Sequence, residues 1–159
     1  NLQSKTTTER DHEMMNWLGG IAPLPDGFIH RMFEAKSDFV GNKLEKAMDA
    51  ECGLVVLGGK RIGCVQLEMI GSAELILNRK DEIFNILGRL KIENKCDHIF
   101  ATILDIEEKV NRILCDDQWL DAILSMALDI TFSENIAIRS GIIMRKEITP
   151  MLKEAIELL

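Results

Sequence analysis

The sequence contains no tyrosine, only three prolines and three histidines, and 5% aromatic residues. Any core it forms must therefore be aliphatic and methionine-rich. Its four cysteines, Cys52, Cys64, Cys96 and Cys115, include no Cys-x-x-Cys pair, so neither a zinc knuckle nor a redox couple is suggested. They read as reduced, mostly buried thiols of a cytoplasmic protein. No apolar run approaches the ~18–20 residues that span a bilayer. The opening stretch "NLQSKTTTERDHE" is polar and lacks a signal-peptide pattern. The expectation is a protein with no membrane partner. Positive charge is also scarce: 19 Lys and Arg face 26 Asp and Glu, a net charge of -7. Nucleic acid requires a broad basic surface, which argues against it as the main partner. A small anion in a local cationic pocket is compatible with the same balance.

Chemistry-bearing motifs are sparse too. His12, His30 and His98 each stand alone in their segments. His12 sits in "DHE", but neighbours on a helix diverge by ~100°, so Asp11, His12 and Glu13 cannot converge on one ion. A solvated helix face is the simpler reading. His98 opens an apolar run and reads as a strand-edge residue. No HExxH, DxDxDG or GxSxG occurs. "GGKRIG" superficially suggests a phosphate loop, yet it lacks the Walker spacing and lies between two strand-like runs, so it reads as a β-turn.

What is present is a clear alternation of helical and strand patterns over 159 residues, enough for one domain with a real core. "TTTERDHEMMNWLGG" predicts a helix with Thr6 as N-cap and Glu9 completing a capping box. Met14, Trp17 and Leu18 form its apolar stripe, and Gly19-Gly20 are expected to end it. "FIHRMFEAKSDF" is a second helix, with Phe28, Met32 and Phe33 at helical spacing. A short third helix is expected from Asn42 to Ala50, carrying Leu44, Ala47 and Met48. "GLVVLGGKRIGCVQLEMIG" predicts a hairpin turning at Gly58-Gly59. Ser72 onward is helical. "HIFATILDI" and "KVNRILC" are strands joined by a turn at Glu107-Glu108. A helix capped by Asp116 or Asp117 follows. "NIAIRSGIIM" reads as the last strand, and "TPMLKEAIELL" as a closing helix with Thr149 as cap and Pro150 in its first turn. The predicted architecture is a single α/β domain: a mixed β-sheet of about five strands with helices packed on it.

Two cationic spots remain. Lys36 lies in "EAKSD", before Ser37, a candidate N-cap. Arg145 and Lys146 follow the apolar Ile142-Ile143-Met144 run. Arg offers a planar fork of donors suited to phosphate oxygens and Lys a compact charge. Taken alone, each spot is better read as solvated surface charge.

The ordered set "TTTERD", "EAKSD", "GCVQLE", "ILDI" and "MRKEITPML" resembles the C-terminal domain of the DHH-superfamily phosphoesterases: manganese-dependent family II inorganic pyrophosphatases, exopolyphosphatases and prune-like proteins. The resemblance covers nearly the whole chain. It implies that residues 1–159 are the substrate-binding domain of a metal-dependent phosphoanhydride hydrolase. It further implies that a catalytic DHH domain, carrying the ligands for Mn2+ (or Mg2+ or Co2+), precedes Asn1. The protein's own DHH domain and pyrophosphate or polyphosphate would then be its partners. By the same resemblance Lys36, Arg145 and Lys146 bind substrate, no residue here is catalytic or a metal ligand, and Gln66 and Glu68 belong to a structural Q-x-E strand pattern. The sequence departs from the family at Met144, where a serine is usual, and at Glu147, where a second lysine is usual. Those departures leave open a binding or regulatory homologue with little hydrolysis, or a DHH enzyme acting on another phosphate ester or nucleotide. The chain by itself is expected to be inactive and to bind phosphate weakly.

Overall fold

The computed structural model describes residues 8–22 and 24–158. The elements run α1 (Glu9–Ile21), α2 (Phe28–Asn42), α3 (Leu44–Ala50), β1 (Cys52–Leu57), β2 (Lys60–Met69), α4 (Ser72–Glu93), β3 (His98–Asp105), β4 (Val110–Leu114), α5 (Gln118–Leu128), β5 (Ile136–Ser140) and α6 (Arg145–Glu157). The strands form one five-stranded sheet in the order β1-β2-β3-β4-β5. Only β2 and β3 are parallel, because α4 crosses between them; the other neighbours are antiparallel. This is the single α/β domain with a mixed sheet that the sequence predicts.

Strand alternation sends side chains to opposite faces of the sheet and builds two cores. Val65, Leu67 and Met69 of β2 and Ile99, Ala101 and Ile103 of β3 pack with α2, α3 and α4. Ile62 and Cys64 of β2 and Phe100 of β3 pack with α5 and α6 on the other face. Near the C-terminal ends of β2 and β3 this second face turns polar, with Gln66, Glu68 and Thr102 continuing the row. The functional questions concentrate there.

Several predicted boundaries differ from the observed ones. Thr6 lies outside the described residues. The capping box that is described uses Thr8 and Asp11: the Thr8 N–H donates to Asp11 Oδ2 at 2.8 Å and the Asp11 N–H to Thr8 Oγ1 at 3.3 Å. Gly19 and Gly20 lie inside α1, which continues to Ile21 and ends at Ala22. No residue of α1 is buried, and Trp17 is 61% exposed. Asn42 ends α2; the short helix starts two residues later, after the break at Lys43. Ser37 is not an N-cap. It sits inside α2, where its hydroxyl donates to the Phe33 carbonyl (2.7 Å) and accepts from the Ile70 N–H (2.8 Å), pinning α2 to the end of β2. Asp117 caps α5, accepting from the Leu120 N–H at 3.1 Å.

The largest departure is at the last strand. β5 stops at Ser140, Gly141 turns the chain with φ 81°, and α6 begins at Arg145, four residues before the predicted cap. Met144 is the N-cap in extended conformation, and Glu147 accepts its N–H at 3.0 Å. Pro150 therefore lies inside the helix. Lacking an N–H, it gives the Lys146 carbonyl no helical partner, while Thr149 Oγ1 donates to the Arg145 carbonyl at 2.9 Å. Arg145 and Lys146 thus stand on the first turn of a helix and not at the mouth of a strand.

Asp105, the acid of "ILDI", is fully buried and organises the same end of the sheet. It accepts from the Ser72 N–H and Oγ, both at 2.9 Å, and from the N–H groups of Glu107 (3.2 Å) and Glu108 (3.0 Å). Arg112 approaches it at 3.8 Å and also contacts Ser72 and Glu108. Burial pushes the Asp105 carboxyl up, but the hydrogen bonds from Glu108, Ser72 and Glu107 outweigh burial and hold it below the ordinary aspartate range. A carboxyl lowered in the folded state stabilises the fold above its unfolded pKa and loses that contribution as pH falls through the folded value. Asp105→Ala is expected to cost about 3–5 kcal/mol at neutral pH, because it takes the acceptor from the Ser72 N–H and hydroxyl and from the Glu107 and Glu108 N–H groups and one of two carboxylates from Arg112. Thermal melts should show a drop of roughly 10 °C in Tm, with a shallower loss of stability in acid than the parent. A variant melting within about a degree of the parent would contradict this role.

Candidate anion-binding corner

The corner is built where the N-terminus of α6 meets the C-terminal ends of β2 and β3. Asn111 of β4 is fully buried and grips the segment before the helix. Its Nδ2 donates to the Ile143 carbonyl at 2.8 Å, and its Oδ1 accepts the Ile143 N–H at 3.0 Å. The side-chain amide thus imitates a strand pairing with one residue of backbone. Nδ2 also donates to Thr102 Oγ1 at 3.0 Å, which fixes the amide's orientation. Two residues further on, Gln66 Oε1 accepts the N–H of Arg145. The first helical residue is therefore held by the sheet.

The guanidinium of Arg145 folds back across β1. Its Nη1 donates to the carbonyls of Glu51 (2.9 Å) and Cys64 (3.3 Å). It lies on Gly53, where a Cβ would fall 2.6 Å from Cζ and 2.9 Å from Nε. Any side chain there would require the end of the Arg145 side chain to move. The Cys64 thiol beneath is pushed up to about 12 by burial, only partly offset by Arg145, so it stays protonated. Lys146 is exposed on the same first turn.

Lys36 reaches the corner from α2. Its Nζ lies 3.3 Å from Glu68 Oε2, and the other oxygen of Glu68 accepts from Gln66 Nε2 at 3.4 Å. Because Oε1 of Gln66 faces an N–H, its Nε2 must face Glu68, which settles the amide's orientation. A chain of contacts, Lys36 to Glu68 to Gln66 to Arg145, therefore joins residues separated by more than a hundred positions. Gln66 and Glu68 are thus more than strand filler: Glu68 meets the Lys36 ammonium and Gln66 holds the backbone of the first residue of α6. Asn111 escapes a sequence reading. Its only signal is a neutral polar residue beside Arg112 in the short strand "VNRIL".

A second cluster lies toward the other end of β3. His98 Nδ1 is 2.7 Å from Asp117 Oδ2, Lys91 Nζ is 3.4 Å from the same oxygen, and the His98 ring stacks on Trp119 at 4.2 Å. Burial raises the Asp117 carboxyl, but the His98 hydrogen bond and the Leu120 N–H win, and it is held low. His98 is thus a paired residue at the start of β3, level with Ile62 and remote from Gln66 and Glu68 along the sheet. His12 is exposed, and His30 lies beside Glu34 (3.3 Å) and Glu107 (3.8 Å). Among the described residues no group of three or more His, Cys, Asp and Glu is arranged to hold a metal ion. Nor is any described helix long and apolar enough to cross a membrane.

No family model matches the chain. It is 27% identical over 158 residues to a Clostridium acetobutylicum protein provisionally named a manganese-dependent inorganic pyrophosphatase. That match covers 98% of this chain and 50% of the relative. A crystal structure from Methanococcus jannaschii, provisionally assigned to the family II inorganic pyrophosphatases, superposes with a TM-score of 0.80 at 26% identity. It covers 97% of this chain and 50% of its own. The chain thus spans about half the length of the proteins it matches. Over nearly its whole length it is thus similar to half of each of these two proteins named as pyrophosphatases, a match that fits a C-terminal, DHH-associated domain.

Proposed function

We propose that this chain is the substrate-binding half of a phosphoanhydride hydrolase, with pyrophosphate as the first candidate substrate, and that Lys36, Arg145 and Lys146 clamp the phosphate. The observation that supports the reading is the contact chain from Lys36 through Glu68 and Gln66 to the backbone N–H of Arg145, which ties α2 and the sheet to the first turn of α6. The names of the two pyrophosphatase relatives support the choice of substrate. Arg145 presents a planar fork held over Gly53, and Lys146 adds a point charge. Both stand at the positive end of the α6 dipole, which favours an anion there.

In this reading the cations bind the phosphate and offset charge that builds on its oxygens as the anhydride breaks. Manganese, named for the Clostridium relative, would supply activation of the attacking water. The described residues do not form a site for it. The ligands would belong to a DHH domain of the same protein, which is the chain's principal partner. The four free cysteines, three of them buried, suit a cytoplasmic location.

Full-length protein assayed with manganese should hydrolyse pyrophosphate or short polyphosphates. Lys36→Ala and Arg145→Ala should each lower kcat/KM by about a hundredfold or more, the loss typical of removing one donor to the transition-state charge. Unchanged kcat and KM in both variants would refute the assignment of these cations. Gly53→Ala removes no charge, yet its methyl group would displace the Arg145 side chain. It should reproduce most of the Arg145→Ala defect while melting close to the parent, and full activity would mean that the observed seat of Arg145 is irrelevant to function. The isolated chain should show no turnover; manganese-dependent hydrolysis by it alone would contradict the division of labour.

A further inference from the structure

We propose that Glu68 is an internal counter-ion that Lys36 exchanges for a phosphate group, so the site binds its anion less tightly than its cations would allow. The inference rests on the phosphate-clamp reading of Lys36 and adds a residue that sets affinity.

The geometry carries it. Glu68 Oε2 lies 3.3 Å from Lys36 Nζ, with the two side chains 24% and 36% exposed. A pair this open and this long is weak and readily displaced. The other oxygen of Glu68 accepts from Gln66 Nε2 at 3.4 Å, and Gln66 is itself tied to the Arg145 N–H, so the carboxylate has a second partner beside Lys36. An anion oxygen that meets Lys36 Nζ therefore comes within roughly 6 Å of that carboxylate, a distance at which like charges still repel at ordinary ionic strength. Glu147 is also fixed nearby, capping the Met144 N–H on the first turn of α6. Of the charged groups at the corner, Lys36, Arg145 and Lys146 are thus opposed by Glu68 and Glu147. Glu68 already occupies Lys36, a cation that a phosphate would need.

Holding Lys36 beside a carboxylate keeps it at the corner when no phosphate is bound. It also weakens the grip on an anion, which favours release of product phosphate. A carboxylate whose main role was to position Lys36 for binding would act in the opposite sense, so the direction of the effect separates the two roles.

Calorimetric titration of the protein with pyrophosphate, and separately with orthophosphate, tests this. Glu68→Gln keeps the shape of the side chain and an acceptor for Gln66. It is expected to tighten pyrophosphate binding about 3–10-fold, from the loss of one repulsive charge at that range. Glu68→Asp, which keeps the charge but withdraws it from Lys36, should tighten binding less than Glu68→Gln does. Most of the gain from Glu68→Gln should vanish in a Lys36→Ala background. Equal or weaker binding by Glu68→Gln, with Lys36→Ala still impaired, overturns the counter-ion role and leaves the clamp standing. An undiminished gain without Lys36 overturns the exchange. Lys36→Ala binding as tightly as the parent overturns the clamp itself.

Discussion

Everything at the corner depends on how the chain enters α6, and that entry is fixed by the buried amide of Asn111. Two hydrogen bonds between its side chain and the Ile143 backbone do the work of a strand pairing where β5 has already ended. A buried polar group is tolerable only when its donors and acceptors are used, and Thr102 uses the remaining donor. With Ile143 fixed, Met144 becomes the cap, Arg145 the first helical residue, and Gln66 the acceptor of its N–H. The direction of the Arg145 side chain across Gly53 follows from that register. Removing the Asn111 amide would free the segment that aims both cations, while the two apolar cores stayed intact.

The order of elements was legible because hydrophobic period and turn residues agree along most of the chain. Gly58 and Gly59, both at positive φ, mark the β1–β2 hairpin, and an uninterrupted helical pattern after Ser72 marks the crossover that makes β2 and β3 parallel. Boundaries failed where a local signal was outvoted. Thr149-Pro150 is a strong helix-start pattern, but α6 starts earlier because Gln66 and Asn111, distant in sequence, supply partners that no local rule anticipates. Pro150 is then tolerated inside the helix. Gly19-Gly20 failed as a stop: both lie inside α1, whose described apolar side chains stay exposed.

The site was legible only in outline. Lys36 and Arg145-Lys146 are unremarkable cations in isolation, and resemblance to a family supplied the reason to join them. What the sequence could not convey is the connection. Glu68 and Gln66 face the same side of β2, and their period-two spacing lets one touch Lys36 and the other Arg145. Glu147 shows the limit of substitution logic. In place of a usual lysine it suggests repulsion of a polyanion, yet its carboxylate caps the helix that carries the two cations. A cation there would leave the Met144 N–H without that acceptor.

The most direct test of the central claim is to map where the protein meets pyrophosphate, using backbone amide shifts in a nitrogen-15 NMR titration. Shifts gathered at Lys36, Gly53, Gln66 and residues 144–147 are predicted, with those around His98, Asp117 and Trp119 left in place. Shifts centred on the His98 cluster, or scattered without a focus, would contradict the claim that these cations form one phosphate-binding corner.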